Sequence, residues 1–246
     1  MSGPALYLAI LLYSLPGIVI GVVAHGLTHA AVALRLGDPS PRREGEISID
    51  PRRHADPFGT IALLLAGFGW SQPARLDPAL LREPIRRALV ALAGPLGHLF
   101  VAVIFALALR VEVLAAGLDP ASLDIVAGLT GAKVLYGLLL QGFLINLALF
   151  VFNLLPLPGL DGYAALRSVL FTRLPRVFQW LEQQRLLVYT LVALLIFVLP
   201  EVTAGAINPF TAATTSFAST VFAHLVVPGA TPIFLGLPNV FTVFSA

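Results

Sequence analysis

The sequence predicts an all-α polytopic membrane protein, and three observations carry that prediction. Of the 246 residues 58% are hydrophobic and only 11% charged, with a mean hydropathy of +0.90, far too apolar for a soluble domain of this size. Apolar runs recur at about the 20-residue length a helix needs to cross a bilayer. Arginines gather at alternating ends of those runs, as orientation in a lipid bilayer requires. The chain contains no cysteine, which excludes a disulfide framework, an iron–sulfur cluster and a thiolate zinc site. No basic cluster is interleaved with aromatics, so nucleic acid is not an expected partner.

In chain order, the first run extends from about Ala5 to Leu34. No basic region precedes it and it continues past any plausible cleavage site, so it reads as a retained helix and not a signal peptide. From Asp38 to Asp56 the chain turns polar, with Pro39, Pro41, Pro51 and Pro57 as breakers. Within that stretch Glu46-Ile47-Ser48-Ile49-Asp50 alternates as a strand does, which predicts a small membrane-associated β-hairpin. Phe58 to Trp70 is too short for a crossing and reads as a re-entrant or interfacial segment. Two further spans follow at Ala88–Leu109 and Ile125–Leu155, then a shorter one at Leu186–Leu199 and a weaker one at Ala204–Val227. Residues 1–246 thus read as one membrane-embedded domain, with core motifs at 20–162 and additional C-terminal transmembrane helices at 186–227.

Arg35, Arg42, Arg43, Arg52 and Arg53 follow the first span, and Arg75, Arg82, Arg86 and Arg87 precede the next. Both ends of the short segment therefore share one basic, cytoplasmic side. Glu112, Asp119 and Asp124 suit the opposite side, and Arg167, Arg173, Arg176 and Arg185 bring the chain back. His29 lies six residues before Arg35, roughly 9 Å deeper along a helix, so the expected site lies within the membrane near the cytoplasmic face. A bacterial inner membrane is the expected location.

Two features carry chemistry. His25-Gly26-Leu27-Thr28-His29 places two imidazoles at i and i+4 on one helix face. A histidine in an apolar helix can simply bridge to a carbonyl, and a pair can ligate haem or a metal ion; intramembrane ionisable residues default to a functional reading. Far downstream, Asn153 to Gly162 sets Pro156, Pro158 and Gly159 between an apolar helix and Asp161. Asp161 can be an ordinary helix cap. Taken together, two imidazoles and a carboxylate can form a three-ligand zinc site with an open fourth position. In the H-E-x-x-H pattern of metalloproteases the Glu is the general base, and here that position is Gly26.

At this point the chain resembles the site-2 protease (M50) family of intramembrane zinc metalloproteases in its compact bacterial form. The resemblance runs through His25–His29, Leu36-Gly37-Asp38-Pro39, the stretch from Asp50 to Thr60, Phe68-Gly69-Trp70-Ser71-Gln72-Pro73, Ala93-Gly94-Pro95-Leu96 and Asn153 to Gly162, in family order over roughly two-thirds of the chain. It implies that His25, His29 and Asp161 ligate Zn²⁺ and that Asn153 lies beside the metal-bound water or the substrate carbonyl. It also implies a substrate: an unwound transmembrane peptide lying beside the polar segment. Four departures stand out: Gly26 for the catalytic Glu, His98 for an Asn, Gln72 for a Lys and Gly159 for a Pro. Loss of a positioned base typically costs about 10²–10⁴-fold, so the expected activity is impaired proteolysis; His98 reads as a satisfied polar contact between helices or, alternatively, as a substitute base. A catalytically inactive pseudoprotease that binds transmembrane segments is the alternative, and a metal-handling or transport protein the third reading.

Overall fold

The computed structural model describes residues 3–66, 69–118, 130–203 and 209–226. Its elements are α1 (Gly3–Arg35), α2 (Ser40–Arg43), a 3₁₀ turn (Pro51–Arg53), α3 (Pro57–Ala66), α4 (Pro84–Ala116), α5 (Gly131–Asn153), α6 (Asp161–Leu170), α7 (Pro175–Gln183), α8 (Arg185–Ala193), α9 (Leu199–Val202) and α10 (Pro209–Leu225). A π-helical turn at Leu194–Val198 joins α8 to α9. Among the described residues three helices are long and apolar enough to cross a membrane: Leu8–Arg35, Pro84–Ala116 and Gly131–Asn153. They pack on one another as a three-helix core, and α6 docks on α4. The chain is a multi-pass membrane protein.

Physical chemistry explains the sides of these helices. On α4 the residues Leu89, Leu96, Phe100, Ile104, Leu107, Val111 and Leu114 are exposed at steps of three, four and seven, a helical stripe suited to lipid tails. On the opposite face Ala102, Ala106, Leu109 and Val113 bury against Tyr136, Leu140, Phe143 and Leu147 of α5, and against Ala218 and Phe222 of α10. Arg110 donates to the Leu225 carbonyl 3.2 Å away, tying α10 to α4. The sequence places a span boundary at Ile125, which lies outside the described residues, as do residues 204–208 of the last expected span.

The β-hairpin expected near Glu46–Asp50 does not form: the described residues contain no strand, only an isolated antiparallel bridge between Ala55 and Ser71. Side chains capture the backbone groups a ladder would use. Ser48 Oγ accepts from the Asp50 N–H, and Asp50 Oδ1 accepts from the Arg52 N–H. Such local bonds by Ser and Asp compete with sheet formation. Ile47 and Ile49 are exposed, so the alternation of 46–50 marks no pleat with one buried face.

Candidate metal centre

α1 carries His25 and His29 one turn apart, both buried. Asp161 arrives from the first turn of α6, after Leu157–Leu160 has reversed the chain. The His25 Nε2 and His29 Nε2 atoms are 3.1 Å apart. Asp161 Oδ2 is 3.3 Å from His25 Nε2, and its Oδ1 is 3.4 Å from His29 Nε2. A tetrahedral zinc with bonds of about 2.0–2.1 Å has ligand-to-ligand edges of about 3.3–3.4 Å, so these separations suit that ion.

The protonation pattern agrees with the distances. His29 Nδ1 lies 2.7 Å from the Val90 carbonyl of α4. A carbonyl only accepts, so Nδ1 carries the proton and Nε2 turns its lone pair toward Asp161 and His25. This is the outer-sphere bond that orients a metal-ligating imidazole. His25 Nδ1 and Asp161 Oδ2 are both buried without a hydrogen-bond partner. Converging acceptors, one of them an unpaired buried carboxylate oxygen, call for a cation.

Gly94 shapes the floor of this cluster. A Cβ there would stand 2.1 Å from His29 Nε2 and 2.6 Å from His25 Cε1. Any side chain at 94 would occupy the space where the imidazoles meet, which composition and periodicity could not show. Val90, Gly94 and His98 recur every four residues along α4 and so share the face that meets the histidine pair.

His98 lies with its ring 4.9 Å from the ring of His25. Its Nδ1 is 3.0 Å from Asn146 Oδ1. Asn146 gives its amide protons to the Gly17 and Gly142 carbonyls, each at 2.9 Å, so Oδ1 must accept and His98 Nδ1 must donate. His98 Nε2 is then the lone-pair nitrogen. Asn153 ends α5 and donates to the Leu149 carbonyl at 2.8 Å, leaving one amide proton and Oδ1 for other partners. His98 and Asn153 line the same cavity of about 170 Å³, together with Thr60, Leu63, Trp70 and Ser71. Across Trp70 a second cavity of about 390 Å³ is bounded by Phe152, Leu157, Leu160 and Tyr189.

The remaining departures have plain structural uses. Gln72 donates to the Ala55 carbonyl at 3.0 Å, holding the extended stretch against the 3₁₀ turn. Gly159 has φ of +90°, a conformation closed to proline. His54, which the sequence presents as a structural residue of the Arg-His-Ala-Asp-Pro run, is buried and sits directly over Gly26.

A protein of Bacillus subtilis (strain 168) named putative zinc metalloprotease YwhC is 36% identical over 163 residues, which are 66% of this chain and 71% of that protein. Proteins named putative zinc metalloprotease Rip2 from Mycobacterium tuberculosis (strain H37Rv) and Mycolicibacterium smegmatis are 32% and 30% identical over 168 residues. Each of those matches covers 66% of this chain and 59% of its relative. No protein-family model and no solved structure matches. Taken with the helical core and the ordered motifs, the likeness to the first of these shows that this chain belongs to the site-2 protease family.

Proposed function

We propose that this protein is an intramembrane zinc metalloendopeptidase that cleaves transmembrane peptides, with Zn²⁺ held by His25, His29 and Asp161. The observation that carries the reading is the convergence of two imidazole nitrogens and a carboxylate at 3.1 to 3.4 Å. Zinc held there supplies Lewis acidity, lowering the pKa of water and polarising a carbonyl. The chain's own groups do the rest. His29 is held in its ligating tautomer by the Val90 carbonyl. The spare amide proton of Asn153 is offered to a peptide oxygen as charge develops on it. The apolar cavities on either side of Trp70 suit side chains of an unwound membrane segment and exclude water.

Gly26 supports the second reading, in which the same cavities bind a transmembrane segment without cutting it. The two are separated by purified protein in mild detergent. About one zinc per chain together with cleavage of a helix-destabilised membrane peptide supports the peptidase; zinc with binding alone supports the pseudoprotease. Absence of zinc after addition removes the metal-centre reading and with it the peptidase.

The basic residues between Arg35 and Arg87 support a cytoplasmic position for that region, with the metal site near that face of a bacterial inner membrane. Because the native chain has no cysteine, a single Glu112→Cys substitution tests this. Labelling of that cysteine from outside is expected; labelling from the cytoplasm alone would reverse the orientation.

A further inference from the structure

His98 spends only half of its hydrogen-bonding capacity within the fold. On one side Nδ1 gives its proton to Asn146 Oδ1 at 3.0 Å, and Asn146 is itself fixed by its bonds to the Gly17 and Gly142 carbonyls. α1 makes room for this pair at Gly21, where a Cβ would stand 2.0 Å from Asn146 Oδ1 and 3.0 Å from His98 Nδ1. On the other side Nε2 carries a lone pair and meets no hydrogen-bond donor among the described residues. The side-chain atoms sealed among those residues without a partner are His25 Nδ1, Gln141 Nε2 and Asp161 Oδ2. His98 Nε2 is not one of them, so a narrow opening reaches it even though the residue is only 1% exposed. The space beside His98 is the cavity of about 170 Å³ that it lines together with Asn153, with Ile18, Val22, Leu63 and Leu149 on the apolar walls.

A transmembrane segment that unwinds loses its internal hydrogen bonds, and each backbone group left unpaired in an apolar setting costs free energy. An acceptor in the cavity recovers part of that cost. We propose that His98 Nε2 accepts a backbone N–H of the unwound segment and so fixes its register against the metal site. The proposal rests on the reading that this cavity takes an unwound membrane segment, which the peptidase and the pseudoprotease share. Asn153 supplies the complementary half, a free amide proton for a peptide carbonyl. Asn146, which holds the His98 ring, and Asn153 lie seven residues apart on α5, about 10 Å along its axis. An extended peptide covers that length in about three residues, so the N–H taken by His98 lies about three residues from the carbonyl that meets Asn153. His98 thus binds and aligns the segment without exchanging a proton with it, and Nδ1 keeps its bond to Asn146 throughout.

The two ring nitrogens can be separated by substitution. His98→Asn keeps a donor at the δ position for Asn146 and removes the acceptor at the ε position, whereas His98→Gln places an amide oxygen near the ε position. Native protein and both variants, with zinc added, are compared for melting temperature, bound zinc and affinity for a fluorescently labelled, helix-destabilised membrane peptide. A series of the same peptide, N-methylated at one residue at a time, removes single N–H groups. Expected are equal bound zinc in all three proteins, binding about fivefold to tenfold weaker in His98→Asn, the worth of one hydrogen bond, and recovery of most of that loss in His98→Gln. At one position N-methylation should cost the native protein more than it costs His98→Asn, by that same factor. Equal affinity of native protein and His98→Asn for the unmodified peptide would overturn the proposal, as would N-methyl penalties that match in the two proteins at every position; either leaves the cavity reading standing. Loss of cleavage in both variants with binding unchanged would also overturn it, by making His98 a proton carrier. If native protein binds no peptide, the cavity reading fails and this proposal fails with it.

Discussion

The three-helix core and the polar segment from Gly37 to Glu83 are built by different physics. In the core, periodicity places residues. Gly21, His25 and His29 on α1, Val90, Gly94 and His98 on α4, and Gly142, Asn146 and Asn153 on α5 each recur near helical repeats and meet in one buried region. In the non-helical stretches of that segment, flanking α2 and α3, no period operates, and side chains satisfy the backbone one group at a time. Asp38 accepts from the Ser40 and Asp77 N–H groups at 2.9 and 2.8 Å. Glu46 accepts from the Arg75 N–H at 3.1 Å, and Asp56 from the Gly59 N–H at 2.7 Å. The core brings the candidate metal ligands together, and the segment delivers the residue over Gly26.

If the core site depends on close backbone approach, filling its floor should have the largest effect. Gly94→Val puts a branched side chain where a Cβ alone would stand 2.1 Å from His29 Nε2. Zinc affinity should fall by about 10²-fold or more because the ligands themselves must part, in addition to about 1–3 kcal/mol of folding stability that overpacking typically costs. Isothermal titration of metal-stripped protein measures this, and unchanged affinity would break the account of the floor.

The polar segment should fail through its hydrogen bonds. Asp38 is fully buried, and its removal leaves two backbone N–H groups without their acceptor, so Asp38→Ala should cost about 1–3 kcal/mol in denaturant unfolding. The same carboxylate sets an acid limit. Burial works against its charge, but the hydrogen bonds from Ser40 and Asp77 outweigh it, and with Arg43 nearby they hold its pKa below the ordinary value. A depressed pKa gives stability that is complete above about pH 4 and is lost as the pH falls through the lower folded value. Acid unfolding of the native protein should therefore show a component below pH 4 that Asp38→Asn lacks.

Smaller effects sharpen the contrast within the segment. Gln72→Ala removes one side-chain bond to the Ala55 carbonyl and should cost about 0.5–1.5 kcal/mol. Arg75 pairs with Glu44 at 2.7 Å but is 65% exposed, so Arg75→Ala should change stability by at most about 1 kcal/mol, less at high salt. Equal losses from Gln72→Ala and Arg75→Ala in salt would contradict the distinction between covered and solvated contacts.

These two regions also differ in how legible they were. The three long spans, the converging histidines and Asp161 follow from apolar length, i to i+4 spacing and a breaker-rich turn, because helices convert sequence distance into spatial position. Gly94 enters the sequence only as part of the Ala93-Gly94-Pro95-Leu96 motif, since nothing in its neighbours says that two imidazoles lie above it. In the polar segment, alternation at Glu46–Asp50 suggested a strand, but Ser48 and Asp50 spend their side chains on neighbouring backbone instead. The position of His54 over Gly26 joins residues 28 apart through a turn. Such a meeting is settled by tertiary hydrogen bonds that no local pattern encodes. It also bears on restoring the base, because a side chain at 26 requires the His54 ring to move.

The central claim is that His25, His29 and Asp161 hold one zinc ion within the helical core. The most direct measurement is metal analysis of detergent-purified native protein beside Asp161→Ala, with circular dichroism confirming equal helix content. The account predicts about one zinc per native chain and a near-complete loss in Asp161→Ala, since removing one of three protein ligands dismantles the site. Native protein that takes up no zinc, or an Asp161→Ala variant that keeps its full complement, would contradict it.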